Sequence, residues 1–188
     1  MSHAPDPRLA GQVARWHTHP VSRQESVAEH SWNVARLVLA IYPAASRELI
    51  VESLMHDIGE GVTGDTPGMA KQMSSGLRYS LEALSTEARR NMVAPWSIPE
   101  EEFLTKNEYT VLKLADLLDT WEKGVQEMSQ GNMLGGRDIV QWTRSQIEAR
   151  LSEIGEGHAL RDTYHAVRGY MARRQNIWRH HLPGGTYV

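Results

Sequence analysis

Four residues of this chain have side chains suited to a divalent metal: His30, the adjacent pair His56-Asp57, and Asp116. The pair alone says little, because nine histidines in 188 residues make a His-Asp dipeptide commonplace. Its weight comes from its company. His30, in Val27-Ala28-Glu29-His30-Ser31, opens the preceding helical segment, and Asp116, in Lys113-Leu114-Ala115-Asp116, lies within a later one. Together they can offer two imidazoles and two carboxylates, and adjacent helical positions project about 100° apart, close enough for His56 and Asp57 to converge on one ion. Such a mixed nitrogen and oxygen set suits Mn²⁺, Co²⁺, Zn²⁺ or Fe²⁺ better than it suits Mg²⁺, and it leaves positions for water and a phosphate oxygen. Asp116 also has a plainer reading, an ion pair with Lys113 on a solvated face.

The elements that must hold these residues read as helices. Apolar residues recur at helical spacing in Val34, Leu37, Val38, Ile41, then Ile50, Val51, Leu54, Met55, Ile58, then Val111, Leu114, Ala115, Leu118, Trp121, Val125. Two later stripes are Val140, Thr143, Ile147, Leu151, Ile154 and Leu160, Tyr164, Val167, Met171, Trp178. This spacing places His56-Asp57 near the end of its helix. No stretch alternates with a period of two between turn signals, so the chain is expected to be all-α, a compact helical bundle without a sheet. Tyr42-Pro43 ends one helix, and Gly61 to Pro67 interrupts the next, with Asp65 or Thr66 able to cap a further helix beyond Pro67. Ser97-Ile98-Pro99-Glu100-Glu101 reads as another helix start, Gly131 to Gly136 as a loop, and Leu182 to Val188 as an irregular tail.

Composition narrows the chemistry. A length of 188 residues fits one domain. The absence of cysteine removes disulfides, thiolate zinc sites and cysteine nucleophiles, so any metal must be held by His and carboxylates. A net charge of −3 argues against sequence-independent binding of nucleic acid, although a local basic cleft can still take a small anion. The basic segment Arg168, Arg173, Arg174, Arg179, His180, His181 is the feature that speaks for nucleic acid, with a solvated face or a subunit contact as its other reading. Neither a signal pattern nor an apolar run of the ~18 residues that span a bilayer is present, so a cytoplasmic location with no membrane partner is expected.

The order His, His-Asp, Asp on helices resembles the HD phosphohydrolases. The likeness extends to Arg15-Trp16, to Glu25-Ser26-Val27-Ala28-Glu29-His30-Ser31, and to the run from His56 through Gly59-Glu60-Gly61 and Gly64-Asp65-Thr66-Pro67 with Lys71. In this it is similar to the bacterial 5′-deoxynucleotidase branch and to the compact phage dATP triphosphohydrolases. The recognisable region runs from residue 15 to residue 128, with C-terminal helices over 137–181 packing on it. The resemblance implies metal ligation by His30, His56, Asp57 and Asp116, a small deoxynucleotide as substrate, and a homo-oligomer, dimer or hexamer.

It also implies roles around the metal. Glu60, four residues after His56 and three after Asp57, shares their helical face and can orient the attacking water or protonate the leaving 5′ oxygen. Arg15 can clamp phosphate, with Lys71 as a further cation. Trp16 can stack on the base or close the 2′ position, and Asp65 can accept from the 3′-hydroxyl. Each has a structural alternative: Glu60 as a last-turn carboxylate, Asp65 as a cap, Trp16 as core. The expected reaction is in-line hydrolysis between the 5′ oxygen and the α-phosphorus. The expected substrate is dATP, giving deoxyadenosine and triphosphate, with 5′-monophosphatase action as the alternative and nucleotide binding without turnover as a more distant one.

Overall fold

A computed structural model describes residues 6–94, 104–154 and 159–179, apart from the side chains of Gly68, Met69, Gln72, Trp178 and Arg179. In chain order the described elements are α1 (Pro7–Ala10), β1 (Ala14–Arg15), β2 (Glu25–Ser26), α2 (Val27–Ile41), α3 (Arg47–Met55), α4 (Glu60–Thr63), α5 (Gly68–Met73), α6 (Ser75–Val93), α7 (Lys106–Ser129), α8 (Met133–Ile154) and α9 (Arg161–Arg179). The architecture is all-α, as the periodicity requires.

Local chemistry fixes the two helices that matter most. Ser26 and Glu29 form a capping box at the start of α2, with the Ser26 hydroxyl accepting from Glu29 N–H at 3.2 Å and Ser26 N–H donating to Glu29 at 2.8 Å. Thr105 and Glu108 do the same for α7. Each box satisfies two backbone donors that a helix start otherwise leaves unpaired. Beyond the caps, the apolar stripes of α2, α7, α8 and α9 meet in one core in which Leu37, Leu114, Leu118, Trp121, Ile147 and Leu151 are fully buried. Burial of each such side chain stabilises the fold by about 1.5–3 kcal/mol. A smaller cluster of Ala10, Ile58, Ala88, Met92 and Val93 lies under α1, α4 and α6.

Several expectations are corrected. Residues 133–136 are the first turn of α8 and not loop, so the C-terminal helices begin at Met133 and not at 137; α9 is described to Arg179. Asn132 accepts from Gly135 N–H at 3.2 Å, and a Cβ on Gly136 would lie 2.5 Å from the Gly124 carbonyl oxygen. Gly136, which read as a loop signal, is there to let α7 and α8 approach closely, while Gly135 lies against the Pro20 carbonyl and Gly131 takes a positive φ of 92°. A sheet is present, though minimal: Ala14 pairs with Ser26 and Arg15 with Glu25, antiparallel. Two residues per strand are too few to leave a period-two pattern. On α3 the buried residues are Leu49, Glu52 and Ser53, while Leu54 is 40% exposed, because Arg89 of α6 draws Glu52 inward as an ion pair. Neither Asp65 nor Thr66 caps α5, whose N-cap is Pro67 without a side-chain bond. The helix start expected at Ser97 to Glu101, the tail from Leu182, and His180 and His181 lie outside the described residues. Among those described, no helix is long and apolar enough to cross a membrane.

Candidate metal centre and nucleotide site

His30 sits in the first turns of α2, on its buried face, and is fully buried. The α3 helix stops at Met55, so His56 is its C-cap and Asp57 comes next, in a turn closed by Ile58 N–H to Met55 and Glu60 N–H to Asp57, at 3.1 and 2.9 Å. The pair is therefore carried by a tight turn just past the helix, and Glu60 opens the separate short helix α4. Gly59 belongs in this turn because a Cβ there would meet the Ser85 carbonyl of α6 at 2.3 Å. Asp116 projects from α7.

These segments bring all four expected ligands together. Asp57 Oδ2 lies 3.5 Å from Nε2 of both His30 and His56, and Asp116 Oδ1 lies 3.3 Å from His30 Nε2. One donor atom each from His30, His56 and Asp116 falls within 4.8 Å of the others. Both Nε2 atoms are buried without a hydrogen-bond partner. Both Nδ1 atoms, in contrast, are engaged: His30 Nδ1 is 2.7 Å from Asp119 Oδ2, and His56 Nδ1 is 3.0 Å from the Ser53 carbonyl. A carbonyl and a carboxylate oxygen accept, so each Nδ1 is the proton-bearing nitrogen and each Nε2 is the atom left to take either a proton or a cation. That donor set fits a divalent cation.

The electrostatics agree. Burial works against charge on Asp57, but His56, Arg15 and His30 outweigh it and hold the carboxyl at about 2. Asp116 is likewise held well below the carboxylate range, burial being outweighed chiefly by His30 and Lys113. Burial and Arg15 push His30 down, yet Asp116 and Asp119 together raise it to about 10, and carboxylates that favour a proton at that imidazole also favour a cation. Burial pushes His56 down, favouring its neutral, ligating form.

The remaining expected residues gather around this centre. Glu60 is buried, with Oε2 lacking a hydrogen-bond partner, and burial reinforced by the charge of Asp57 raises its carboxyl to about 8. Asp57, Glu60, Thr63, Thr66 and Lys71 line a cleft of ≈ 160 Å³ whose far wall is Leu81, Glu82, Ser85 and Thr86 of α6. Arg15 is turned onto Asp57, Nη1 to Oδ2 at 2.7 Å, with Nε 3.8 Å from Glu25 and making no hydrogen bond. Trp16 has a positive φ of 67°, and its backbone N–H donates to Asp65 Oδ2 at 3.1 Å. Asp65 thus faces the β1 end. Asp116 keeps its plainer partner too, with Lys113 Nζ at 3.9 Å. His17 and His19 stay outside the ligand cluster, the first 3.8 Å from Asp65 and the second edge-on to Trp16.

Sequence reasoning missed Asp119, although its signal was present: it lies three residues after Asp116, on the same helical face. It also missed Ser53, whose role is carried by the backbone and leaves no signature. The basic α9 stripe is partly neutralised, since Arg168 pairs with Glu148 at 2.6 Å and Arg174 pairs with Glu122.

The chain is similar to known proteins in sequence and in fold. A family model described as 5′-deoxynucleotidase YfbR-like matches residues 8–157. The chain is 27% identical over 140 residues to a 5′-deoxynucleotidase of Cronobacter sakazakii, covering 64% of this chain and 69% of that one. It is 28% identical over 138 residues to 5′-deoxynucleotidase YfbR of Salmonella typhi, with the same coverage of 64% and 69%. Among solved structures, the cyanophage S-2L HD phosphohydrolase DatZ, bound to dA and one catalytic Zn²⁺ ion, superposes with a TM-score of 0.67 at 17% identity, over 93% of this chain and 96% of that one. An HD-domain phosphohydrolase of Listeria innocua gives 0.67 at 20% identity, over 95% and 88%.

Proposed function

Because the chain belongs to the YfbR-like 5′-deoxynucleotidase family of HD phosphohydrolases, we propose that it hydrolyses the 5′-phosphate ester of 2′-deoxynucleoside monophosphates, using His30, His56, Asp57 and Asp116 to hold a divalent cation. The observation that carries the reading is the pair of buried imidazole Nε2 atoms without hydrogen-bond partners, each fixed through its Nδ1 and converging with two carboxylates. The monophosphate takes precedence over the dATP that the resemblance to the phage enzymes implied. The cleft lining holds Lys71 as its cation against Asp57 and Glu82, which suits one phosphoryl group better than a triphosphate tail. The curated relatives' names point the same way.

A divalent cation bound there supplies Lewis acidity at the phosphoryl group and a lowered pKa for an attacking water. The chain's own residues do the rest. Glu60, whose carboxyl burial and the charge of Asp57 hold above its ordinary range, gives its proton to the 5′ oxygen as the bond from that oxygen to phosphorus breaks, and the proton released by the incoming water restores it. Lys71, and the unbonded Nε–H of Arg15, offset charge on the phosphoryl oxygens. Trp16 lies against the sugar, and Asp65, which already fixes the Trp16 backbone, takes the 3′-hydroxyl.

The test is product identity. Mn²⁺- or Co²⁺-loaded protein is given dAMP, dATP and their ribonucleotide counterparts, and the released anion is identified. Orthophosphate from dAMP in preference to AMP is expected. Triphosphate from dATP restores the dATP reading, and pyrophosphate with dAMP refutes both, because it places the cut between the α- and β-phosphates.

A further inference from the structure

The segment joining β1 to β2 carries Trp16 and begins directly after Arg15. Its near end is tied by Asp65 to the Trp16 N–H and by the His19 N–H to the Trp16 carbonyl at 3.0 Å. Its far end is tied elsewhere, to a polar cluster at the junction of α7 and α8. Ser22 N–H donates to Glu127 Oε2 at 2.6 Å, and Lys123 Nζ reaches the Arg23 carbonyl at 2.6 Å. The Asn132 amide donates to the Pro20 carbonyl and, at 2.9 Å, to Glu127 Oε2. Three backbone groups within four residues are thus held by three side chains about one hundred positions or more further along the chain.

The cluster is built for this purpose. Glu127 is fully buried and Lys123 is 6% exposed, and the two pair at 2.7 Å. A buried pair costs desolvation unless its remaining hydrogen-bonding capacity is used, and here the segment backbone uses it. Burial would raise the Glu127 carboxyl, but Lys123, the Ser22 N–H and Asn132 hold it down to about 2. Glu127 is therefore ionised throughout the neutral range.

We infer that Glu127, Lys123 and Asn132 are positioning residues for sugar discrimination: they touch no substrate, and they fix the segment whose near end sets Trp16 at the left-handed φ of 67°. This rests on the proposed reading of Trp16 as the residue against the sugar. A non-glycine residue at positive φ holds that conformation only when its surroundings over-determine it. Asp65 holds one side of the segment and the α7–α8 cluster the other, so release of the cluster lets Trp16 relax and admits a 2′-hydroxyl.

Asn132→Asp is the discriminating variant. It keeps an acceptor for the Gly135 N–H, and so the start of α8, but replaces both amide donations with a carboxylate facing Glu127 and the Pro20 carbonyl. Asn132→Ala is the companion that adds no charge, and the melting temperature confirms that each is folded. Amide hydrogen exchange over residues 16–24 should quicken by at least about tenfold, and the kcat/KM ratio of dAMP to AMP should fall by at least about threefold, chiefly through improved turnover of AMP. Mn²⁺ affinity should stay within about twofold, because neither Asn132 nor residues 16–24 supply a proposed ligand. Loosened exchange with an unchanged sugar ratio overturns the inference, as does unaltered exchange in both variants. A parent chain that turns over no deoxynucleotide overturns the underlying reading instead, and that outcome is visible before any variant is compared.

Discussion

Replacing Asp119 with alanine tests whether His30 is held for metal ligation. The carboxylate is 3% exposed and accepts from His30 Nδ1 at 2.7 Å. Removing it leaves a buried N–H without its charged acceptor, a loss of about 1.5–3 kcal/mol for a hydrogen bond to an ionised group. Part of that loss falls on the tautomer, because nothing then favours the proton on Nδ1 over Nε2, and a proton on Nε2 excludes a cation. At about 1.4 kcal/mol per tenfold, Mn²⁺ should bind about 10- to 100-fold more weakly to Asp119→Ala. Asp119→Asn keeps a neutral acceptor of roughly half the strength, so its loss should be on the order of 3- to 10-fold. Overall stability should move less than metal affinity. Burial and then the charge of Asp119 hold the Glu25 carboxyl above its usual value, so removing Asp119 relieves a like-charge contact. The assay is titration of the metal-free protein with Mn²⁺, read by the electron paramagnetic resonance of the free ion, with a melting curve alongside. An affinity within about twofold of the parent in Asp119→Ala would refute the reasoning and return the contact to packing.

Glu60→Gln should retain Mn²⁺ and nucleotide while losing about 10²–10⁴ in kcat, the range for a group that moves a proton in the transition state; a near-normal rate excludes the role. Since the folded protein holds the Glu60 carboxyl at about 8, it is protonated below that pH, and a general acid predicts kcat falling as pH rises through about 8. A rate that climbs through the same window makes Glu60 a base instead. Trp16→Ala should narrow the preference for dAMP over AMP, and Asp65→Ala should shift it in the same direction, because the Trp16 N–H loses its acceptor; opposite responses would uncouple the two residues. Gly136→Ala should lower stability by about 1–3 kcal/mol through overpacking, since the new Cβ meets the Gly124 carbonyl and the Met128 backbone. An unchanged melting temperature would contradict the close approach of α7 and α8.

Helices α2 and α7 were legible because their apolar positions face the main core. Val34, Leu37, Val38 and Ile41 of α2, and Val111, Leu114, Ala115, Leu118, Trp121 and Val125 of α7, are all buried as their spacing requires. That His30, His56, Asp57 and Asp116 would lie together was legible from their match to the HD phosphohydrolase order, since spacing alone left Asp116 an ordinary ion-pair partner of Lys113. What escaped was set by partners distant in sequence. Glu52 turns inward only because Arg89 awaits it, Gly136 is helical only because α7 lies against it, and Glu127 is polar in a buried place only because the segment from Pro20 to Arg23 crosses it. Hydrophobic periodicity has no means of reporting such contacts.

Helix α7 presents Asp116, Asp119, Lys123 and Glu127 along a single face, at offsets of three, seven and eleven residues that keep them within about 80° of one another. Inserting one residue between Asp119 and Lys123 would rotate everything downstream by about 100° and advance it by about 1.5 Å. Asp116 and Asp119 would keep their places, while Lys123 and Glu127 would swing away from the backbone groups they hold. In a lineage of such chains, length should therefore vary freely in the connections and hardly at all within α7. A helix of this kind ages by substitution alone, because its phase fixes Asp116 and Asp119 relative to the groups that hold residues 20–23.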